Sequence, residues 1–155
     1  MHRDHELPPL RKVIEVRVPP AEAFRLWTEA IGRWWPLASH SVGQADAEAC
    51  AIEARTGGRI FETTRAGAEH LWGRITVFDR PHRLAFTWHP GRQPGDHTIV
   101  EVTFSPSGTG RTRLELAHSG WPVDAGARRA DYDRGWQALL RDDFAAYVAA
   151  TAARA

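Results

Sequence analysis

The stretch from Arg111 onward limits most tightly what this chain can fold into. It reads as a strand closing on Leu114, Leu116 and His118, a Ser119-Gly120-Trp121-Pro122 turn, and one long amphipathic helix. In that helix Trp136, Leu139, Leu140, Phe144, Tyr147 and Val148 recur at helical spacing and draw a single apolar stripe. A helix of this kind, coming after a series of strands, buries its stripe by lying across a sheet. If the sheet curls around the helix, a pocket forms between them.

The upstream sequence supplies the sheet. Val13–Val18 reads as a strand with Ile14, Val16 and Val18 on one face, and Pro19-Pro20 ends it. Ala23, Phe24, Trp27 and Ile31 then follow at helical spacing, predicting a helix over 20–31 that Trp34-Trp35-Pro36 stops. Leu37 to Ala47 is the longest irregular segment and suits a mobile flap. Strands are expected near 49–55, 59–65, 70–79, 84–89, 97–105 and 111–118, joined by turns such as Thr56-Gly57-Gly58 and Ser107-Gly108-Thr109-Gly110. Short connections imply antiparallel neighbours, so the fold class is α+β with a seven-stranded sheet. Period-2 alternation turns Leu84, Phe86, Trp88, Val100, Val102, Phe104, Leu114, Leu116 and His118 inward. Trp72 stays open: the cleaner apolar set of its strand leaves it outside, and a bulge at Gly73 turns it in.

The 155 residues suit one domain, read as a flexible tail over 1–10 and a single folded unit over 11–155. Lys and Arg number 20 against 19 Asp and Glu, which gives no basic field for nucleic acid. All the basic residues except Lys12 are Arg, a bias better explained by codon composition than by phosphate recognition. Cys50 is alone, so neither an internal disulfide nor a cysteine zinc cluster is available. No signal peptide and no apolar run long enough for a membrane span is visible, and a cytoplasmic protein is the expectation. Seven Trp is the compositional anomaly, because an indole is costly to bury unless its N–H finds a partner.

Five segments together carry a family resemblance. They are Val18-Pro19-Pro20 through Trp27, Gly57-Gly58-Arg59-Ile60-Phe61, Gly73-Arg74-Ile75 with Arg83 through Trp88, Gly110 through Trp121, and Gly135-Trp136-Gln137-Ala138-Leu139-Leu140. In order and spacing this set resembles the helix-grip superfamily of START-like and birch-pollen-allergen-like proteins (SRPBCC). The nearest branch is the one named after the activator of the heat-shock ATPase chaperone. The resemblance implies a curved antiparallel sheet wrapped around the C-terminal helix, two short helices after the first strand, and a cavity between sheet and helix. Members bind lipids, sterols, polyketides or other apolar molecules, and a few are cyclases or hydrolases. They share no catalytic residues, so none is carried over. The eukaryotic co-chaperones of the branch have a second domain without counterpart here, which makes a chaperone partner the weaker expectation.

The candidate pocket residues are Trp88, His118 and Trp121, with Phe86 on the Trp88 face, Trp35 beside the flap, and Tyr132, Trp136 and Leu140 on the helix. Indoles supply flat apolar area, and a neutral imidazole supplies one donor and one acceptor. Trp34 and Trp35 cannot both point inward from one helical turn. Gly135, which weakens a helix, points to tight packing there. The eight histidines scatter without a metal-binding spacing, and no nucleophile elbow or phosphate loop is present, so neither metal nor cofactor is expected. The favoured function is binding a small, largely apolar molecule that is aromatic, polyketide-like or lipid-like. A cyclase, dehydratase or hydrolase using His118, near Glu62 or an inward Arg, is the first alternative. A chaperone-interacting module with Trp72 exposed is the second. A homodimer is compatible with the sequence.

Overall fold

The computed structural model describes residues 6–153, so the first half of the predicted tail, with His2 and His5, lies outside the described residues. Seven strands form one antiparallel sheet in the order β1-β7-β6-β5-β4-β3-β2. They are β1 (Leu10–Val16), β2 (Ala47–Ile52), β3 (Arg59–Thr64), β4 (Glu69–Asp79), β5 (Arg83–Trp88), β6 (Thr98–Pro106) and β7 (Thr112–Ser119). Helices α1 (Pro20–Thr28) and α2 (Ile31–Trp34) carry the chain from β1 at one edge to β2 at the other. This is the helix-grip architecture expected from the sequence.

The differences from expectation are local. The first strand begins at Leu10, and the predicted 20–31 helix is two helices, with Thr28 Oγ1 donating to Phe24 O at 2.9 Å near the break. Residues 6–10 are tied down: Leu7 N–H donates to Trp121 O at 2.9 Å, and Glu6 bridges Pro122.

The inner face of the sheet is the apolar set that alternation predicts, with Leu84, Val100, Val102, Leu114 and Leu116 fully buried. Strand β4 departs from alternation twice. Its pairing slips between Ile60 and Phe61 on the β3 side, and between Ile75 and Val77 on the β5 side. Each bulge advances the inward face by one residue, which lets Trp72, Ile75 and Phe78 all face the core despite odd spacing. Trp72 is fully buried, which settles the open question in favour of the bulge. Gly73 is required there, because a Cβ would stand 1.8 Å from Thr87 O of β5.

The closing helix runs as α3 (Gly126–Ala138), a π-helical turn (Leu139–Phe144) and α4 (Ala145–Ala153). Trp136, Leu140, Phe144 and Val148 are spaced by four, which in an α-helix overshoots a full turn by about 40° per step. The π turn holds more residues per turn and takes back that drift, so all four stay buried against the sheet.

Candidate functional site

Much of the space between sheet and helix is filled. Phe24, Phe104, Trp27, Trp34 and Phe144 interlock edge-to-face or tilted, with ring centroids 4.9–6.5 Å apart. The room that remains lies at one end of the sheet, a cavity of about 450 Å³ open on one side. Tyr132, Gly135, Trp136 and Leu139 of the long helix form one wall, with Asp131 at its edge. Trp88, at the end of β5, and Pro90 and Gly91 beyond it form the second. Trp35 and Ser39 to Val42 close the third.

Trp35, Trp88 and Trp136 come together as a triad, with centroids 5.8 Å apart for Trp35–Trp88, 6.0 Å for Trp88–Trp136 and 6.1 Å for Trp35–Trp136. A third ring between two of them would need about 7 Å at ordinary carbon contact distances. A guest therefore rests on the triad and is not sandwiched inside it. Trp34 is buried in the neighbouring ring cluster, 5.7 Å from the Trp35 ring and with its Nε1–H donating to Leu26 O at 3.0 Å. Both indoles therefore point inward, contrary to expectation, and of the two Trp35 lines the cavity.

Of the eight sequence candidates, the structure brings Trp35, Trp88, Tyr132 and Trp136 to the cavity wall. Phe86, His118, Trp121 and Leu140 are buried behind it and do not line it. The imidazole of His118 is fully buried, and its two nitrogens are both engaged. Trp136 Nε1–H donates to Nδ1 at 2.9 Å, so Nε2 carries the proton and donates to Thr98 Oγ1 at 2.6 Å. The Thr98 hydroxyl in turn reaches Trp88 O at 3.3 Å. Burial pulls the His118 pKa down to about 3, with the Arg128 guanidinium acting in the same direction. His118 is thus a neutral bracket joining Trp88 and Trp136 from behind. Trp121 packs on this imidazole at 4.3 Å and donates to its carbonyl at 2.8 Å.

Gly135 corrects another expectation. A Cβ there meets nothing within 4 Å, so the missing side chain opens the cavity and does not serve tight packing.

The segment expected to be a flap is a set of turns with an anchor that periodicity did not reveal. Glu62, fully buried on β3, accepts from Val42 N–H at 2.6 Å, Gly43 N–H at 2.8 Å and Trp72 Nε1–H at 2.6 Å. Its carboxylate is therefore a latch for the third wall. It does not contact His118, whose partners are Thr98 and Trp136. Trp35 Nε1–H adds a second tie at His40 O, 2.7 Å away. Cys50, under the same region, is an inert thiol whose pKa burial pushes up to about 12. Among the described residues no cluster of His, Cys, Asp or Glu has the geometry of a metal site. No described helix is long and apolar enough to cross a membrane.

Fold and site define a helix-grip domain with an indole-walled cavity at the open end of its grip. The family model of Activator of Hsp90 ATPase homolog 1-like protein matches residues 17–149, and the chain belongs to that family. Solved structures agree on the fold. CalU16 from Micromonospora echinospora superposes with a TM-score of 0.65 at 21% identity, over 90% of this chain and 73% of that one. The Plasmodium falciparum Hsp90 activator PFC0360w gives a TM-score of 0.59 at 19% identity, over 89% and 91% of the two chains. The anthrahydroquino-γ-pyrone synthase Txn09 is more similar in sequence, 39% identical over 74% of this chain and 77% of its own, with a TM-score of 0.54. No curated protein matches the chain.

Proposed function

We propose that this protein binds a small, largely apolar, aromatic or polyketide-like molecule in the cavity walled by Trp35, Trp88, Tyr132 and Trp136. The observation that carries the reading is the indole triad facing open space across from Gly135. Enclosing an apolar guest there removes its surface and that of the rings from water, worth about 25 cal/mol per Å². The Ser39–Val42 turns and the Pro90–Gly91 corner flank the opening and would control access. The likeness to Txn09 supports fused aromatic rings over a lipid chain as the guest. It also keeps catalysis on the same scaffold as the second reading. The fully buried Trp72 removes the feature that favoured a chaperone-binding face.

Gly135→Leu tests the proposal. The new side chain enters open space on a helix, where leaving glycine gains on the order of 1 kcal/mol. The variant should melt at or above the wild-type temperature yet lose more than about tenfold in affinity for the neutral fluorophore N-phenyl-1-naphthylamine, a loss of about 1.4 kcal/mol. A folded variant that binds this probe as tightly as the wild type sinks the cavity as the site.

A further inference from the structure

The indole N–H groups of Trp34, Trp35, Trp72, Trp121 and Trp136 each donate to an acceptor 2.6–3.0 Å away. Trp88 breaks this pattern. Its side chain lines the cavity and is 5% exposed, yet its buried Nε1–H has no acceptor. A buried donor without a partner costs free energy comparable to a lost hydrogen bond, and such an orphan in a cavity wall calls for an explanation. Tyr132 lines the helical wall of the same cavity. It stands one helical turn before Trp136, whose ring lies 6.0 Å from Trp88. Burial raises the pKa of its phenol, and the Trp88 indole opposes the rise.

We infer that Trp88 Nε1–H and the Tyr132 hydroxyl form a subsite for one neutral oxygen acceptor, so the preferred guest is a planar aromatic ketone or quinone. The inference rests on the cavity being the binding site. Both groups donate without carrying charge, and two neutral donors do not offset the desolvation of a full anion. Asp131 at the cavity edge adds a further bias against a carboxylate. An indole N–H lies in the ring plane, so a guest that accepts it meets Trp88 edge-on. Its face is then left to stack on Trp35 or Trp136, which fits a flat ring system better than an acyl chain. His118 supports this arrangement from behind, through Trp136 and through the Thr98 hydroxyl to the Trp88 carbonyl.

The test uses a matched pair of probes, fluorene and 9-fluorenone, which differ by one carbonyl. Binding to the ¹⁵N-labelled protein is followed by NMR at the indole N–H signals. Fluorenone should bind about five- to tenfold more tightly than fluorene, the gain expected of one or two neutral hydrogen bonds. It should also move the Trp88 indole proton downfield, which fluorene should not. In Trp88→Phe the preference should fall toward unity while fluorene still binds, and Tyr132→Phe should reduce it in part. Equal affinities with an unmoved Trp88 signal overturn the acceptor subsite and leave the cavity reading standing. If neither probe binds, both fall. The wild-type indole shift gives a result even if Trp88→Phe does not fold.

Discussion

Protonating His118 would turn Nδ1 from an acceptor into a donor and set two N–H groups against each other at the 2.9 Å contact with Trp136. A charge would also appear in a fully buried ring near the Arg128 guanidinium. The folded pKa, about 3, therefore lies below the unfolded value near 6.5. Between these values the unfolded chain holds a proton that the folded chain does not. The stability contributed by this group is complete above pH 6.5 and falls by about 1.4 kcal/mol per unit as pH drops toward 3. In a ¹H–¹³C NMR titration the His118 Cε1 signal should hold its neutral position from pH 8 to pH 4.5. A midpoint near 6.5 would falsify the bracket. Strand alternation made the inward direction of His118 legible in the sequence. Depth was not legible, since a residue can face inward and still lie behind the wall, as Phe86 and Trp121 also do.

At the scale of elements, the third cavity wall depends on one carboxylate reaching across from another strand. Glu62→Gln keeps the shape and leaves a single oxygen to receive three N–H groups, with an NH₂ facing at least one of them. The variant should lose about 1–3 kcal/mol of stability, the cost of leaving a buried donor unpaired. Exchange of the Val42 and Gly43 amides should accelerate by more than about tenfold, since local opening there no longer breaks charge-assisted bonds. Unchanged protection at these two amides would show that the segment is held by its own turns. The elements themselves were largely readable: seven strands, the inward faces of β5, β6 and β7, and the stripe of the closing helix. The rest was hidden for a physical reason. Bulges in β4 and the π turn after Ala138 shift periodicity by fractions of a turn or single residues, and only the partner strand or facing core shows which way. The sequence suggests Glu62 only as a possible neighbour of His118, because its actual donors lie 10 to 20 positions away, where no local pattern reveals them.

Across the whole molecule, the cavity joins parts that are distant in the chain, and its helical wall has the weakest local support. Within α3 only Trp136 is buried, so packing alone gives this helix little reason to stay on the sheet. Beside the Trp136–His118 bond, it has attachments from the opposite end of the chain. Arg129 donates from Nε to Pro8 O at 2.7 Å and from Nη2 to Pro9 O at 3.3 Å, and Lys12 Nζ meets Asp133 at 2.7 Å. Pro8 and Pro9 have no N–H to engage in a strand, which leaves their carbonyls free for the guanidinium. The N-terminal segment thus acts as a strap that sets the angle of α3, and with it the positions of Tyr132 and Trp136. Arg129→Ala removes both ties without touching the cavity. The expected cost is modest, about 1 kcal/mol, since the contacts are surface ones. Its distribution is the informative part: amide exchange should rise along α3 and stay unchanged in β5, β6 and β7, and affinity for N-phenyl-1-naphthylamine should fall a few-fold. If the variant lost stability evenly, with α3 protected as before, the helix would be held by Trp136 and the π turn, and the strap would have no part in shaping the site.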